Sequence, residues 1–344
     1  MLCADISNPW ADDGQRSRAY TPVRIQQRCI SSYDAPSGLQ RLAQTMSEMV
    51  HTYAGNPLNR GESLRRSEET IAALAGDDTS LFLPFHKLEV ANDEDGLLWL
   101  KRTAIPADCR QTIFLGTRDN VAHFAVDLPD VPNGLMFTDC RSIAAALTTE
   151  EAGIVAQARA QLDWHHRNPF CAQCGARSQP ERGGQIRRCT SCERYIHPRT
   201  DPVAIMLVVD EPSGDRCLLG RPNGRLSNSN FFTALAGFLD QGESIEEAVR
   251  REVWEEAGIS VGPVRYHSSQ PWPFSSQLMI GCHAVAETHQ ISFDPVEMAD
   301  VQWFSRAQAR AAVDEVPDAA IRVPGAMAIA HHLIRSWVQE EVEL

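Results

Sequence analysis

Hydrophobic and polar positions change period several times along the 344 residues. Residues 1–40 are polar and irregular and read as a leader. Apolar positions at helical spacing predict a helix over 63–75. Segments 81–90, 97–100 and 112–115 read as strands, separated by turn signals such as Asn92-Asp93-Glu94-Asp95-Gly96, and 121–126 alternates as a half-buried strand does. Helix returns over 149–164, where Ile154, Ala158 and Leu162 recur at i+4. Beyond a short cysteine-punctuated stretch, strands are predicted at 203–209, 217–221, 231–239, 265–268, 278–286 and 301–304. Helices are predicted at 244–257, 306–313 and 324–338. The predicted organisation is therefore a leader (1–40), an α+β domain (41–165), a cysteine-rich module (166–199) and an α/β domain with a mixed sheet flanked by helices (200–344). No internal repeat is visible.

Composition narrows this picture. With 43% hydrophobic and 22% charged residues the chain has enough apolar mass for a core, which excludes disorder or a coiled coil as its main class. Its longest purely apolar run, 203–209, is too short to span a membrane. Asp5, Asp12 and Asp13 interrupt the start and no apolar h-region follows, so a cytoplasmic, reducing location is expected. The formal net charge of −13 has the wrong sign for a generic nucleic-acid binder. Lys87 and Lys101 are the only lysines, so an arginine cluster says less about phosphate binding here than usual.

Ten cysteines are present, and four of them form Cys171-x2-Cys174 and Cys189-x2-Cys192. Each Cys-x-x-Cys turn presents two thiolates to one tetrahedral ion, and Gly183-Gly184 lets the intervening stretch fold back as a hairpin. This is the spacing of a four-cysteine zinc ribbon, and an ion held by four thiolates has no open position, so the zinc is expected to be structural. Six arginines from Arg177 to Arg199 surround it, a surplus read as a solvated face.

Gly237 to Ile259 reads GFLDQGESIEEAVRREVWEEAGI. Ser244 with Glu247 is a capping box that opens a helix, and Gly258 closes it. Ile245, Val249 and Val253 form an apolar seam. Glu252 and Glu256 stand one turn apart with Glu255 beside them, a repulsive arrangement that is tolerable on a solvated surface or is reversed by a divalent cation between them. Oxygen-only ligands select Mg2+ or Mn2+.

The same segment resembles the Nudix box, G-x5-E-x7-R-E-U-x-E-E-x-G-U, with Gly237, Glu243, Arg251, Glu252, Val253, Glu255, Glu256, Gly258 and Ile259 at the fixed positions. The resemblance implies an α/β/α sandwich that hydrolyses a diphosphate with two or more Mg2+ or Mn2+ ions, with Arg251, Glu252, Glu255 and Glu256 as catalytic positions. Glu252, Glu256 and the Ala236 carbonyl are the implied metal ligands.

Two further stretches resemble the NADH pyrophosphatase subfamily of this family. These are Trp164-His-His-Arg-Asn-Pro-Phe-Cys-Ala-Gln-Cys-Gly175, leading into the ribbon, and Ser269-Gln270-Pro271-Trp272-Pro273-Phe274 after the box. Two prolines hold two aromatics in the latter, a preset wall on which a flat base can stack. The subfamily resemblance implies that Gln270, Pro271, Trp272, Pro273, Phe274, Ser275, Ser276 and Gln277 bind a dinucleotide, with Trp272 acting across a homodimer interface. It also implies that Glu297 is a further metal ligand and that Ala330 is a minor substrate contact. Ser275-Ser276-Gln277 departs from the usual Pro-x-Ser, and His197 replaces a substrate-contacting tyrosine. The expected reaction is hydrolysis of NADH or NAD+ to nicotinamide mononucleotide and AMP, with removal of NAD caps from RNA implied as well. Rival readings are a Nudix hydrolase of ADP-ribose or another dinucleotide, and a degenerate nucleotide-sensing protein.

Overall fold

The computed structural model describes residues 51–211, 214–224 and 227–341. The leader assigned to 1–40 lies outside them. The first sheet contains β1 (Leu81–His86), β2 (Glu89–Asp93), β3 (Gly96–Leu97), β4 (Gln111–Arg118), β5 (Val121–Asp127) and β6 (Met136–Asp139). Its order is β3-β2-β1-β5-β4, with β6 also on β2. Helix α1 (Glu68–Gly76) is capped by the Ser67 side chain, not at residue 63 as the periodicity predicted, because residues 64–66 form a separate 3-10 turn. The single strand expected over 81–90 is a hairpin. Lys87 and Leu88 both take positive φ, at 50° and 67°, a turn that the apolar run conceals. The short β6 was not predicted.

A one-turn helix α2 (Cys140–Ile143) leads to α3 (Thr149–Arg167), which opens with a capping box between Thr148 and Glu151. On one face of the sheet, Ile154, Val155, Ala158 and Leu162 of α3 pack on Leu83, Ile113, Leu115 and Ala125. On the other, Ile71 of α1 packs on Phe82, Phe114 and Phe124.

The cysteine module is a three-stranded sheet of β7 (Ser178–Glu181), β8 (Ile186–Cys189) and β9 (Tyr195–Ile196). Its hairpin tip docks on the first sheet. Phe114 donates its N–H to the Gly183 carbonyl at 2.9 Å, and a Cβ on Gly183 would lie 2.9 Å from that of Phe114, so only glycine allows the approach.

The last sheet contains β10 (Asp201–Val209), β11 (Arg216–Pro222), β12 (Leu235–Phe238), β13 (Val261–Trp272), β14 (Gln277–Ala286) and β15 (Met298–Ser305). Its order is β13-β14-β10-β11-β15, with β12 on β10. Helix α4 (Ile245–Ala257) covers one face through Ala248, Val249, Val253 and Ala257. Helices α5 (Arg306–Val313) and α6 (Ile329–Val338) cover the other through Ala309, Ala312, Leu333 and Trp337. The strand expected over 231–239 shortens to β12, and the last helix starts at Ile329 instead of residue 324. The mixed α/β sandwich, the cysteine module and the N-terminal α+β part are thus all present. No helix among the described residues is long and apolar enough to cross a membrane.

The two large sheets repeat one topology, which the sequence did not reveal. In the first, the hairpin β4/β5 joins β1 in parallel, and β2 and β6 follow antiparallel. In the last, the hairpin β13/β14 joins β10 in parallel, and β11 and β15 follow antiparallel. Pairing order survives side-chain replacement as long as volume and in–out pattern hold, so topology repeats where residues do not.

Candidate metal-dependent hydrolytic site

Helix α4 begins as its capping box requires. The Ser244 N–H donates to Glu247 Oε2 at 2.7 Å, and the Glu247 N–H donates to Ser244 Oγ at 3.3 Å. Gly258 ends it in the left-handed region at φ 68°. With the apolar seam fixed on the sheet, Glu252 and Glu256 are carried toward β12. The Ala236 N–H donates to Glu256 Oε2 at 3.3 Å. A Cβ on Gly237 would fall 1.8 Å from the carboxyl carbon of Glu252, so the glycine opening the box leaves the space that this carboxylate fills.

Arg251 organises the acids. It donates to both oxygens of Glu243 at 2.7 and 2.8 Å, to Glu252 Oε1 at 2.7 Å, to Glu255 Oε2 at 2.9 Å and to the Phe238 carbonyl at 2.9 Å. These contacts push its own pKa up, and its hydrogen bonds hold Glu243 down at about 2. The pair near β12 behaves oppositely. Burial, then the charge of Glu252, then the charges of Glu297 and Glu255 raise Glu256 to about 8. Burial also raises Glu252. Four carboxylates thus converge with one guanidinium among them, an excess of negative charge that favours a cation. The donors are carboxylates, with the Ala236 carbonyl on the adjoining strand, a hard-oxygen set suited to Mg2+ or Mn2+. Among the described residues only the four cysteines bring three or more such ligand atoms within 4.8 Å of one another, so the glutamates lie more widely spaced than the thiolates.

The thiolate site is tighter. Sγ–Sγ separations are 3.8 Å for Cys171–Cys192, 3.4 Å for Cys174–Cys189 and 3.6 Å for Cys174–Cys192. A tetrahedron with zinc–sulfur bonds of about 2.3 Å has edges of about 3.8 Å, so the four sulfurs fit one zinc ion. The N–H groups of Cys192 and Ser191, both 3.4 Å from Cys189 Sγ, lower that thiol to about 6, which favours the thiolate before any ion arrives.

Residues expected at the substrate fare differently. Val203 pairs with Phe238 on one side and Met279 on the other, and Trp272 faces Gln277, which faces Asp201. The aromatic loop and the mouth of the glutamate nest therefore lie at the same end of the sheet. Trp272 and Phe274 are half-buried and meet Tyr53 edge-on at 5.9 and 5.6 Å, with the Arg141 guanidinium 5.2 and 4.6 Å from their rings. Arg159 donates to the Pro273 carbonyl. Ser276 accepts from the Asp201 N–H at 2.9 Å. Pro271, Ser275 and Gln277 are half-buried, and His197 is exposed beyond β9.

Two of these residues are placed where a direct side-chain contact with substrate is not open to them. Gln270 is fully buried; its amide donates to the Thr52 and Met327 carbonyls at 3.0 and 2.8 Å and accepts from Ile329 N–H at 2.8 Å. It ties the loop to α6. Ala330 is 2% exposed in the core beneath α6. Glu297 stands on an exposed turn before β15, near enough to act on Glu256. Sequence reasoning missed Phe238, an exposed aromatic at the end of β12 whose carbonyl Arg251 holds. Its signal was an unexplained phenylalanine directly after the first glycine of the box.

The sandwich, the arginine-braced glutamates on α4 and the cysteine module define a hydrolase of the Nudix class. Comparison with known families agrees. A NUDIX domain matches residues 200–322, an NADH pyrophosphatase-like rudimentary NUDIX domain matches 57–164 and an NADH pyrophosphatase zinc ribbon domain matches 166–194. Nudix hydrolase 19, chloroplastic, of Arabidopsis thaliana is 31% identical over 88% of this chain and 89% of its own. The NAD-capped RNA hydrolase of Schizosaccharomyces pombe is 31% identical over 84% of this chain and 93% of its own. The NAD-capped RNA hydrolase NUDT12 of Homo sapiens is 45% identical over 56% of this chain, a match that spans 43% of the human protein. The chain belongs to the Nudix hydrolases, in the group that carries the NADH pyrophosphatase ribbon and rudimentary domain.

Proposed function

We propose that the protein is an Mg2+- or Mn2+-dependent NAD(H) diphosphatase. Water attacks one phosphorus of the NADH or NAD+ diphosphate, the bridging P–O bond breaks, and nicotinamide mononucleotide and AMP leave. We extend this to the NAD cap of RNA 5′ ends, which presents the same diphosphate; with a net charge of −13, recognition of such RNA depends on its end group. The observation that carries the reading is the Glu252–Glu256 pair against the Ala236–Gly237 backbone, with Arg251 fixing Glu252 from the other side. The human and fission-yeast relatives, both NAD-capped RNA hydrolases by name, support an NAD-type substrate.

Bound divalent ions would neutralise charge on the diphosphate and lower the pKa of the attacking water. Glu252, Glu256, Glu297 and the Ala236 carbonyl would hold them. Arg251 keeps Glu252 and Glu255 in place without consuming the nest's charge, because Glu243 already engages it on both oxygens. Glu255 is exposed and held by Arg251 at 2.9 Å. Trp272 and Phe274 offer the rings for base stacking, with a second copy of the chain completing the site in a cytoplasmic homodimer.

The test is hydrolysis of NADH, NAD+, ADP-ribose and NAD-capped RNA with product identification, in wild type and Trp272→Ala. NADH and NAD+ are expected to give mononucleotides, and the Trp272 variant to raise KM about tenfold or more with little change in kcat. ADP-ribose as best substrate with an inert Trp272 variant would contradict the dinucleotide reading. No Mg2+-dependent hydrolysis of any of the four would leave the nucleotide-sensing reading.

A further inference from the structure

The aromatic loop between β13 and β14 belongs to the last sheet, yet residues of the first domain hold it. Ala152 and Ala156 on α3 are buried and cluster with Tyr53, and Trp272 and Phe274 pack against them. Tyr53 is fixed in turn, because its hydroxyl donates to the Cys140 carbonyl at 3.0 Å. Spaced four and then three residues apart, Ala152, Ala156 and Arg159 share one stripe of α3. Two small side chains admit the loop and a long one reaches it.

Arg159 makes two contacts there. It donates to the carbonyl of Pro273, a residue that is itself buried, and its guanidinium carbon lies 4.6 Å from the centre of the Phe274 ring. A buried carbonyl without a donor is costly, and a cation over an aromatic ring is attracted to it, so both contacts favour one position of the loop. The Arg159 Nε is buried with no hydrogen-bond partner among the described residues. The guanidinium is therefore oriented by the loop at the expense of its own hydrogen bonding.

The other neighbours of the loop do not duplicate this. Arg141 reaches both rings from α2, but it is exposed and forms no hydrogen bond to the loop among the described residues. The Asp201 N–H anchors the far side of the loop, on the Ser276 carbonyl at 2.9 Å. Arg159 anchors the side that carries the aromatic rings.

We propose that Arg159 is a positioning residue for substrate recognition: from the first domain it sets the loop whose rings take the base, so that little ordering remains when substrate binds. The proposal rests on the reading of this loop as the base-binding wall. Arg159 acts through Pro273 and Phe274 and has no part in the hydrolytic step, so its influence falls on affinity.

Amide hydrogen exchange and NADH kinetics on the full-length chain test it together. In Arg159→Leu, exchange over residues 271–278 is expected to quicken about tenfold or more, with the rest of α3 and β13 unchanged. The same variant is expected to raise KM for NADH about tenfold and to keep kcat within about twofold. Arg159→Lys, which keeps a donor and a charge without the planar guanidinium, is expected to lie between wild type and Arg159→Leu in both measurements. In a Phe274→Ala background, Arg159→Leu is expected to add about threefold or less to KM, because the two residues act as one unit. Unchanged exchange in the loop, a loss confined to kcat, or effects of Arg159→Leu and Phe274→Ala that multiply in full would each overturn the proposal. Failure of the hydrolase reading would show instead as wild type that hydrolyses no NAD-type substrate, and the exchange measurement would then decide the role of Arg159 alone.

Discussion

The first and last sheets share five strands in one pairing order; they differ in the partner of the sixth strand, β3 on β2 and β12 on β10, and most in the connection that follows it. Between β3 and β4 the chain crosses residues 98–110 with only a 3-10 turn at Arg102–Ala104. At the same place in the last sheet, between β12 and β13, residues 239–260 hold Glu243 and then α4 with Arg251 and the other three box glutamates. The helices that follow the last strand of each sheet, α3 and the α5–α6 pair, are apolar-faced supports. The glutamate nest on this topology therefore comes from one additional helix and from the glycine opposite it. The first sheet keeps the scaffold without that helix, and its value to the molecule lies in what it packs against: the ribbon tip and, through α3, the aromatic loop.

This comparison can be broken most sharply at Gly237. Gly237→Ala places a methyl where the Glu252 carboxylate lies, while the backbone of β12 can accept alanine. Turnover is expected to fall about a hundredfold with the melting temperature little changed, because a shift of about 1 Å in a metal-holding group is enough for that. Steady-state kinetics beside a thermal melt reads both.

The ribbon should behave as support. Cys174→Ser is expected to lose the zinc and to cost about 2 kcal/mol or more of stability, with a smaller effect on kcat than the Gly237 change. Elemental analysis and thermal unfolding check this, and full stability of zinc-free protein would detach the ribbon from the fold.

A smaller effect concerns pH. Burial lowers His51, His165, His267 and His283 to about 4, against 6.5 for a free histidine. His51 and His267 each lie 2.7 Å from Ser268 Oγ, and His283 donates to the Leu333 carbonyl at 2.9 Å. The unfolded chain takes up protons on these rings below pH 6.5 and the folded chain does not until about pH 4. Stability is therefore complete above pH 6.5 and declines as pH falls through that window, by at most about 1.4 kcal/mol per histidine per pH unit. Denaturant titrations at pH 7, 6 and 5 measure the slope; a flat response would mean the rings are not held neutral.

The chemistry was more legible in the sequence than the architecture around it. Arg251, Glu252, Glu255 and Glu256 could be placed on one helix because capping and i+4 spacing are local, and the cysteine pairs because ligand spacing is local too. What escaped depends on distant contacts. The Lys87–Leu88 turn has no glycine or proline to announce it. Gln270 and Ala330 sit in motif-like stretches, but contacts with Thr52, Met327 and the α6 core decide their surroundings. The repeated topology leaves no residue pattern, since the first sheet has lost the one segment whose residues chemistry constrains.

The central claim, that reactivity resides in α4 and not in the shared scaffold, is tested most directly by comparing two glutamates. Glu256 lies in the nest, whereas Glu151 caps α3 and accepts from the N–H groups of Leu97 and Thr148 at 3.1 and 3.0 Å. With saturating Mg2+ and NADH, Glu256→Gln is expected to lower kcat about a hundredfold or more and to keep the fold. Glu151→Gln is expected to keep kcat and to lose about 1 kcal/mol of stability. Near-wild-type turnover in Glu256→Gln, or an equal loss of turnover in both variants, would contradict the account.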